Sequence, residues 1–108
     1  MSLIDIHEHR TRSGKRPFLS WIMGLNDLSG RARILARIDR LAMGNFGDVK
    51  FLSDGLFELR FHMGPGYRVY FGRLSANRIL LLGGGDKSSQ GKDIPKARAC
   101  WKDHRSQP

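Results

Sequence analysis

Two alternating runs on either side of a Gly-Pro-Gly turn constrain this chain more than any other feature. From Leu56 to His62 the residues alternate, so that Phe57, Leu59 and Phe61 share one face of a strand and Glu58, Arg60 and His62 the other. Gly64-Pro65-Gly66 has the composition of a turn. Tyr67 to Phe71 then alternates again, with Tyr67, Val69 and Phe71 opposed to Arg68 and Tyr70. If the two runs pair across the turn, their apolar sides enter one core, which gathers Glu58, Arg60, His62, Arg68 and Tyr70 on a second surface. A third run, Arg78 to Leu82, is apolar after its first residue, as expected of a central strand covered on both faces. Gly83-Gly84-Gly85 is expected to end it.

The first half of the chain has a different period. Leu3, Ile4 and Ile6 among polar neighbours predict a short strand, ended by the basic segment His9 to Arg16. Pro17 suits a helix start. Phe18, Trp21, Ile22 and Leu25 follow at i, i+3, i+4 and i+7, on one helical face. Asn26, Asp27 and Ser29 offer a break and an N-cap for a second helix, Gly30 to Met43, with Ile34, Leu35, Ile38 and Leu41 inward and Arg33, Arg37 and Arg40 on other faces. Gly44 and Asn45 end it. The last stretch, Asp86 to Pro108, is polar and basic, with a helix that includes Ala97, Ala99, Cys100 and Trp101. Strand, αα-hairpin, antiparallel three-strand meander and a short C-terminal helix make an α+β domain.

Composition sets the bounds on partners. The chain has 108 residues, the size of one small domain, and a formal net charge of +9. Such an excess attracts phosphate polymers or an acidic protein, or serves solubility alone. No apolar run approaches the roughly 18 residues of a membrane span, and Met1 to Arg10 lacks the apolar stretch of a secretion signal, so a cytoplasmic protein without membrane contact is expected. A lone Cys100 allows no internal disulfide and no cysteine-based zinc site. His7 and His9 are close in sequence, but neighbouring Asp5 and Glu8 do not complete a recognised ligand spacing, so no metal and no other cofactor is expected. His104 reads as part of a polar tail.

The polar strand face is the informative chemistry. Arginine grips a phosphodiester bidentately and stacks on bases, and tyrosine stacks or donates a hydrogen bond. Such a face suits RNA. A surface salt bridge of Glu58 with Arg60 or Arg68, worth little, explains the same alternation equally well. The basic α-helical residues Arg33, Arg37 and Arg40 have the same two readings, RNA contact or a solvated face. Trp21 is a core residue or an anchor for a partner segment. Gly83 to Ser89 superficially resembles a phosphate loop, but lacks the G-x-x-x-x-G-K-[ST] spacing.

Longer words of the sequence add a resemblance. Gly55-Leu56-Phe57-Glu58-Leu59-Arg60, Gly64-Pro65-Gly66-Tyr67-Arg68-Val69-Tyr70-Phe71, and Leu80-Leu81-Leu82-Gly83-Gly84-Gly85-Asp86-Lys87-Ser88-Ser89-Gln90 with Lys92-Asp93-Ile94 resemble the HigB-like addiction module killer proteins of the RelE/ParE toxin superfamily. Trp21, the Ile38 to Leu41 segment and Gly44-Asn45 resemble the family's earlier pattern, so the likeness covers nearly the whole chain in order. It implies a RelE-like fold and a type II toxin that cleaves mRNA on the ribosome and is silenced by a helix-turn-helix antitoxin, in a hetero-oligomer. Arg60 and Arg68 match the strand arginines, Tyr67 and Tyr70 the neighbouring aromatics, and Lys87, Gln90 and Lys92 the segment after the last strand. Gly91 and Pro95 depart from the family's early helix, and the helix is expected to start near Asp93 with Pro95 in its first turn.

On this resemblance Arg60, Arg68 and Lys87 are the catalytic candidates. Tyr70, Tyr67, His62, Lys92, Gln90, Arg33, Arg37 and Arg40 are RNA-binding candidates. Lys87, or secondarily His62, would serve as general base or acid, its proton affinity lowered beside the two arginines. Two other functions remain open: a ParE-type gyrase inhibitor, and a non-catalytic domain that binds nucleic acid or antitoxin.

Overall fold

The computed structural model describes residues 3–107. The fold is α+β. Three α-helices, among the described residues, pack on both faces of a five-stranded mixed sheet of order β1-β5-β4-β3-β2. The strands are β1 (Asp5–Glu8), β2 (Val49–Ser53), β3 (Leu56–Arg60), β4 (Tyr67–Ser75) and β5 (Arg78–Asp86). The helices are α1 (Pro17–Met23), α2 (Leu28–Ala42) and α3 (Gln90–Arg105). Strands β2 to β5 form an antiparallel meander, and β1 joins it parallel to β5.

The helix ends follow from their residues. Pro17 opens α1. The Asp27 carboxylate caps α2 by accepting from the Gly30 N–H at 2.9 Å, so this helix starts two residues before the expected Gly30. At its other end the Gly44 N–H donates to Leu41 and the Asn45 N–H to Arg40, with Gly44 at φ 88°, the pattern of a Schellman stop. Leu35, expected inward, is exposed; Gly30, Ile34, Ile38 and Leu41 form the buried stripe.

Three strand expectations need correction. The first strand is Asp5–Glu8, with Ile4 buried just before it. β2 was absent from the sequence reading. It is joined to β3 by Asp54 and Gly55, both at positive φ (47° and 81°), the two-residue hairpin that an Asp-Gly pair favours. The run Gly83-Gly84-Gly85 does not end β5, which continues through it to Asp86. A Cβ on Gly84 would lie 2.3 Å from the Trp21 ring and one on Gly85 1.8 Å from the Asp93 carboxylate, so close packing by both helices accounts for these glycines.

The sheet has apolar contacts on both sides. Phe18, Ile22, Ile34, Ile38 and Leu41 of α1 and α2 meet Leu59, Val69, Phe71, Ile79 and Leu81 on one face. On the other, Ala97 and Trp101 of α3 cover Leu56, Tyr70, Leu80 and Leu82. Trp101 also donates from Nε1 to the Asp54 carbonyl at 2.8 Å, fixing α3 to the β2–β3 turn. α3 begins at Gln90 rather than Asp93, after a 3-10 turn Lys87–Ser89, and Pro95 sits inside it, beyond the first turn. A proline there withholds a bond from the carbonyl four residues back, and that residue, Gly91, is exposed to water.

Candidate nucleic-acid interface

β3 and β4 set the site's register. Arg60 lies directly opposite Arg68, and Glu58 opposite Tyr70, so these four side chains share the sheet face expected from the alternation. That face is not a solvated surface. α3 crosses part of it, and Glu58, Arg68 and Tyr70 are buried.

A cavity of about 370 Å³ opens at the end of the β3–β4 hairpin. Arg60, His62, Arg68 and Lys87 line it, together with Phe61 and the Gly64-Pro65-Gly66 turn. Three of these are at least partly open to solvent: Arg60 partly, His62 and Lys87 freely. Arg68 is only 3% exposed. Its Nη1 donates to the carbonyls of Phe61, Gly66 and Tyr67 at 3.1, 2.9 and 3.0 Å, so its guanidinium braces the turn from beneath.

Lys87 is placed by the word that contains it. The Asp86 carboxylate accepts from the N–H groups of Ser88 and Ser89 at 2.8 and 3.2 Å, and the Ser89 hydroxyl accepts from the Asp86 N–H at 3.0 Å. This reciprocal cap holds the 3-10 turn with Lys87 at its start. The Ser88 hydroxyl and the two amides hold the Asp86 carboxyl below its ordinary range. Gly66 runs close under Lys87, since a Cβ there would be 3.3 Å from the Lys87 Cβ.

The remaining candidates divide. His62 hydrogen-bonds through Nε2 to the Asp48 carboxylate, which lowers the Asp48 pKa. Arg33 is exposed on α2 and reaches the sulfur of Met63, beside the turn, at 3.5 Å. Arg40 and Lys92 are exposed and line no part of this cavity. Gln90 donates from Nε2 to Glu58 at 2.8 Å and lines a neighbouring cavity of about 470 Å³ with Lys50, Glu58 and Arg60.

Three expected roles change. Tyr70 is fully buried under α3, where no base can stack on it; burial first, then the Glu58 carboxylate, pushes its phenol pKa up. Tyr67 faces the opposite core, where its alternation with Val69 and Phe71 puts it rather than with the RNA-binding candidates, and donates its hydroxyl to Asp27 at 2.8 Å. Arg37 hydrogen-bonds the carbonyls of Arg60 and Asp48 and lies over the Phe61 ring at 4.8 Å, so it ties α2 to the sheet. Glu58 faces both Arg60 and Arg68, as the salt-bridge reading has it, but from a buried position, with only Arg60 partly open to water.

His9 and His104 pack together away from this cavity. His9 is buried, packs edge-on against His104 with ring centroids 6.0 Å apart, and lies 3.9 Å from Asp103. Asp48, Asp86 and Ser89 were missed as supports of the site. The capping pattern of Asp86 and Ser89 was available in the sequence; the pairing of Asp48 with His62, fourteen residues apart, was not.

A cation-lined hollow of this kind offers one partly exposed guanidinium fork and one exposed ammonium to an anion, above a hydrogen-bonded turn. No protein-family model matches the chain. An uncharacterized protein of Haemophilus influenzae is 52% identical to it over 81 residues, which are 75% of this chain and 82% of that protein. The chain belongs to the family of that Haemophilus influenzae protein.

Proposed function

We propose that this chain is a HigB-like toxin of the RelE/ParE superfamily with a RelE-like fold: a cytoplasmic, ribosome-dependent mRNA endoribonuclease that inhibits translation. A helix-turn-helix antitoxin silences it in a hetero-oligomer. The observation that carries the reading is the convergence of Arg60, Arg68, Lys87 and His62 on one cavity at the end of the β3–β4 hairpin. The resemblance of the sequence words from Gly55 to Ile94 gives that cavity its substrate.

RNA brings its own nucleophile, the ribose 2′-OH, so neither a metal nor a covalent enzyme intermediate is required. The 2′-oxygen attacks the adjacent phosphorus, the P–O5′ bond breaks, and a 2′,3′-cyclic phosphate and a 5′-hydroxyl result. Arg60 holds the phosphate and the added charge of the phosphorane, with Arg68 behind it. Lys87 takes the 2′-OH proton or protonates the leaving oxygen, and His62, oriented by Asp48, is the second candidate for the other transfer. Arg33 extends the cationic surface next to the turn. The ribosome supplies the in-line geometry of the mRNA.

Primer extension on mRNA from a translating extract is the test. New 5′ ends that appear with the wild-type chain and vanish with Arg60→Ala or Lys87→Ala are expected. Intact mRNA with unimpaired protein synthesis would refute the reading. Growth arrest that persists with both alanine variants, accompanied by gyrase-dependent DNA breaks, would replace it with a ParE-type gyrase poison.

A further inference from the structure

Glu58 is a carboxylate in an unusual position. It lies in mid-strand, 1% exposed, on the face covered by α3. Its Oε1 is 3.6 Å from Nε of Arg60 and 3.8 Å from Nε of Arg68, while Oε2 accepts the Gln90 amide at 2.8 Å. Both arginine Nε atoms are buried and make no hydrogen bond, so this one oxygen faces two otherwise unpartnered N–H groups. Among the described residues no other carboxylate lies within 4 Å of either guanidinium.

The register makes such a carboxylate necessary. Arg60 and Arg68 are direct cross-strand partners, and like charges in that relation repel. A charge placed between their Nε atoms offsets the repulsion from the inner side and leaves the outer nitrogens of Arg60 toward the cavity. Glu58 stays outside the cavity lining, which carries Arg60, Arg68 and Lys87, so the hollow remains positive, as an entering phosphate requires.

We infer that Glu58 is a positioning residue: it locks the guanidiniums of Arg60 and Arg68 at a fixed separation beneath the anion, and Gln90 in turn fixes Glu58. Its use in cleavage rests on the nuclease reading above; the clamp itself does not. Glu58 is buried and lines no part of the cavity that Lys87 and His62 share, so the positioning role assigned to it is distinct from that of general base.

Removing a negative charge does not weaken attraction for an anion, which separates positioning from binding. Glu58→Gln is therefore expected to lower kcat for mRNA cleavage about 10²-fold, the usual penalty for misplaced groups, without raising KM. The second readout is independent of cleavage. In the wild-type chain the buried Nε–H resonances of Arg60 and Arg68 are expected to exchange slowly with water, and inorganic phosphate to shift both with one apparent Kd. In Glu58→Gln both resonances exchange fast and no longer respond together. Gln90→Ala, a change at the half-buried end of the network, moves both readouts in the same direction to a smaller extent and decides the matter if Glu58→Gln does not fold. Wild-type kcat together with unchanged Nε–H signals in a folded Glu58→Gln, or in Gln90→Ala where the first does not fold, would overturn the clamp. Altered Nε–H signals in a chain that cleaves no mRNA would support the clamp and overturn the nuclease reading.

Discussion

Arg68 has two demands on it. It lines the cavity, yet its buried guanidinium supplies three carbonyl oxygens of the Phe61–Tyr67 turn. Arg68→Ala would take the guanidinium from the turn carbonyls and one of the two positive charges facing Glu58, and loss of one partner from a buried ionic network costs about 3 kcal/mol. Urea unfolding is expected to show a loss of that size, whereas Arg60→Ala and Lys87→Ala, at more open positions, shift the midpoint little. Activity lost in Arg68→Ala therefore mixes unfolding with chemistry, and the partly open Arg60 and the exposed Lys87 are the cleaner probes. Tyr67 and Tyr70 show how far residue type alone carries an argument. Both are aromatic neighbours of an arginine, but Tyr67 anchors to the cap of α2 and Tyr70 lies under α3.

At the scale of elements, α3 is held to the sheet through glycine. A Cβ on Gly72 would come within 2.2 Å of the Trp101 ring, which is itself bonded to the β2–β3 turn. Gly72→Ala is expected to destabilise by about 1–3 kcal/mol, as overpacking does, with a change in tryptophan fluorescence in the native state; urea titration followed at that signal checks both. Pro95 acts in the other direction. Its ring lies inside α3 and cannot donate to the preceding turn. Pro95→Ala should raise stability, by at most about 3 kcal/mol, and calorimetry measures it. The sequence departure at Gly91 and Pro95 was visible, but its outcome was not. A proline marks a cost; whether the helix stops or continues depends on the contacts of Ala97 and Trp101 with the sheet.

For the molecule as a whole, two groups of titrations act on stability from different starting points, 6.5 for His9 and 3.8 for three aspartates. Burial, and then His104, lowers the His9 pKa from its ordinary 6.5, with Asp103 opposing them. Asp103 and His104 face His9 from α3, and Arg12 of the preceding loop faces Asp103 at 3.6 Å. A base held neutral in the fold contributes its full stability above the unfolded value of 6.5 and loses it as pH falls from there toward the folded value. Unfolding free energy is thus expected to decline as pH falls below 6.5, and His9→Asn to flatten that slope in urea titrations at fixed salt. Asp27, Asp48 and Asp86 act lower down. Their pKa values are lowered by hydrogen bonds from Gly30, His62 and Ser88 respectively, so their contribution is complete above the unfolded 3.8 and disappears as pH drops through the folded values.

Much of this architecture was legible in local pattern. Alternation from Leu56 and from Tyr67 assigned the β3–β4 pair and its two faces, Pro17 and Asp27 marked helix starts, and Gly44-Asn45 marked a helix stop, because each depends on backbone geometry within a few residues. The β2–β3 turn has a local signal too, the Asp54-Gly55 pair at positive φ. What only tertiary packing decided is the covering of the second sheet face. A period of two separates Glu58, Arg60, Arg68 and Tyr70 from the apolar side, but says nothing of what lies above them. Docking of α3 on Leu56, Leu80 and Leu82 removed water from that side, turning a surface salt bridge into a buried clamp and a stacking tyrosine into a core residue. Burial is a sum over distant segments, and no local spacing contains it.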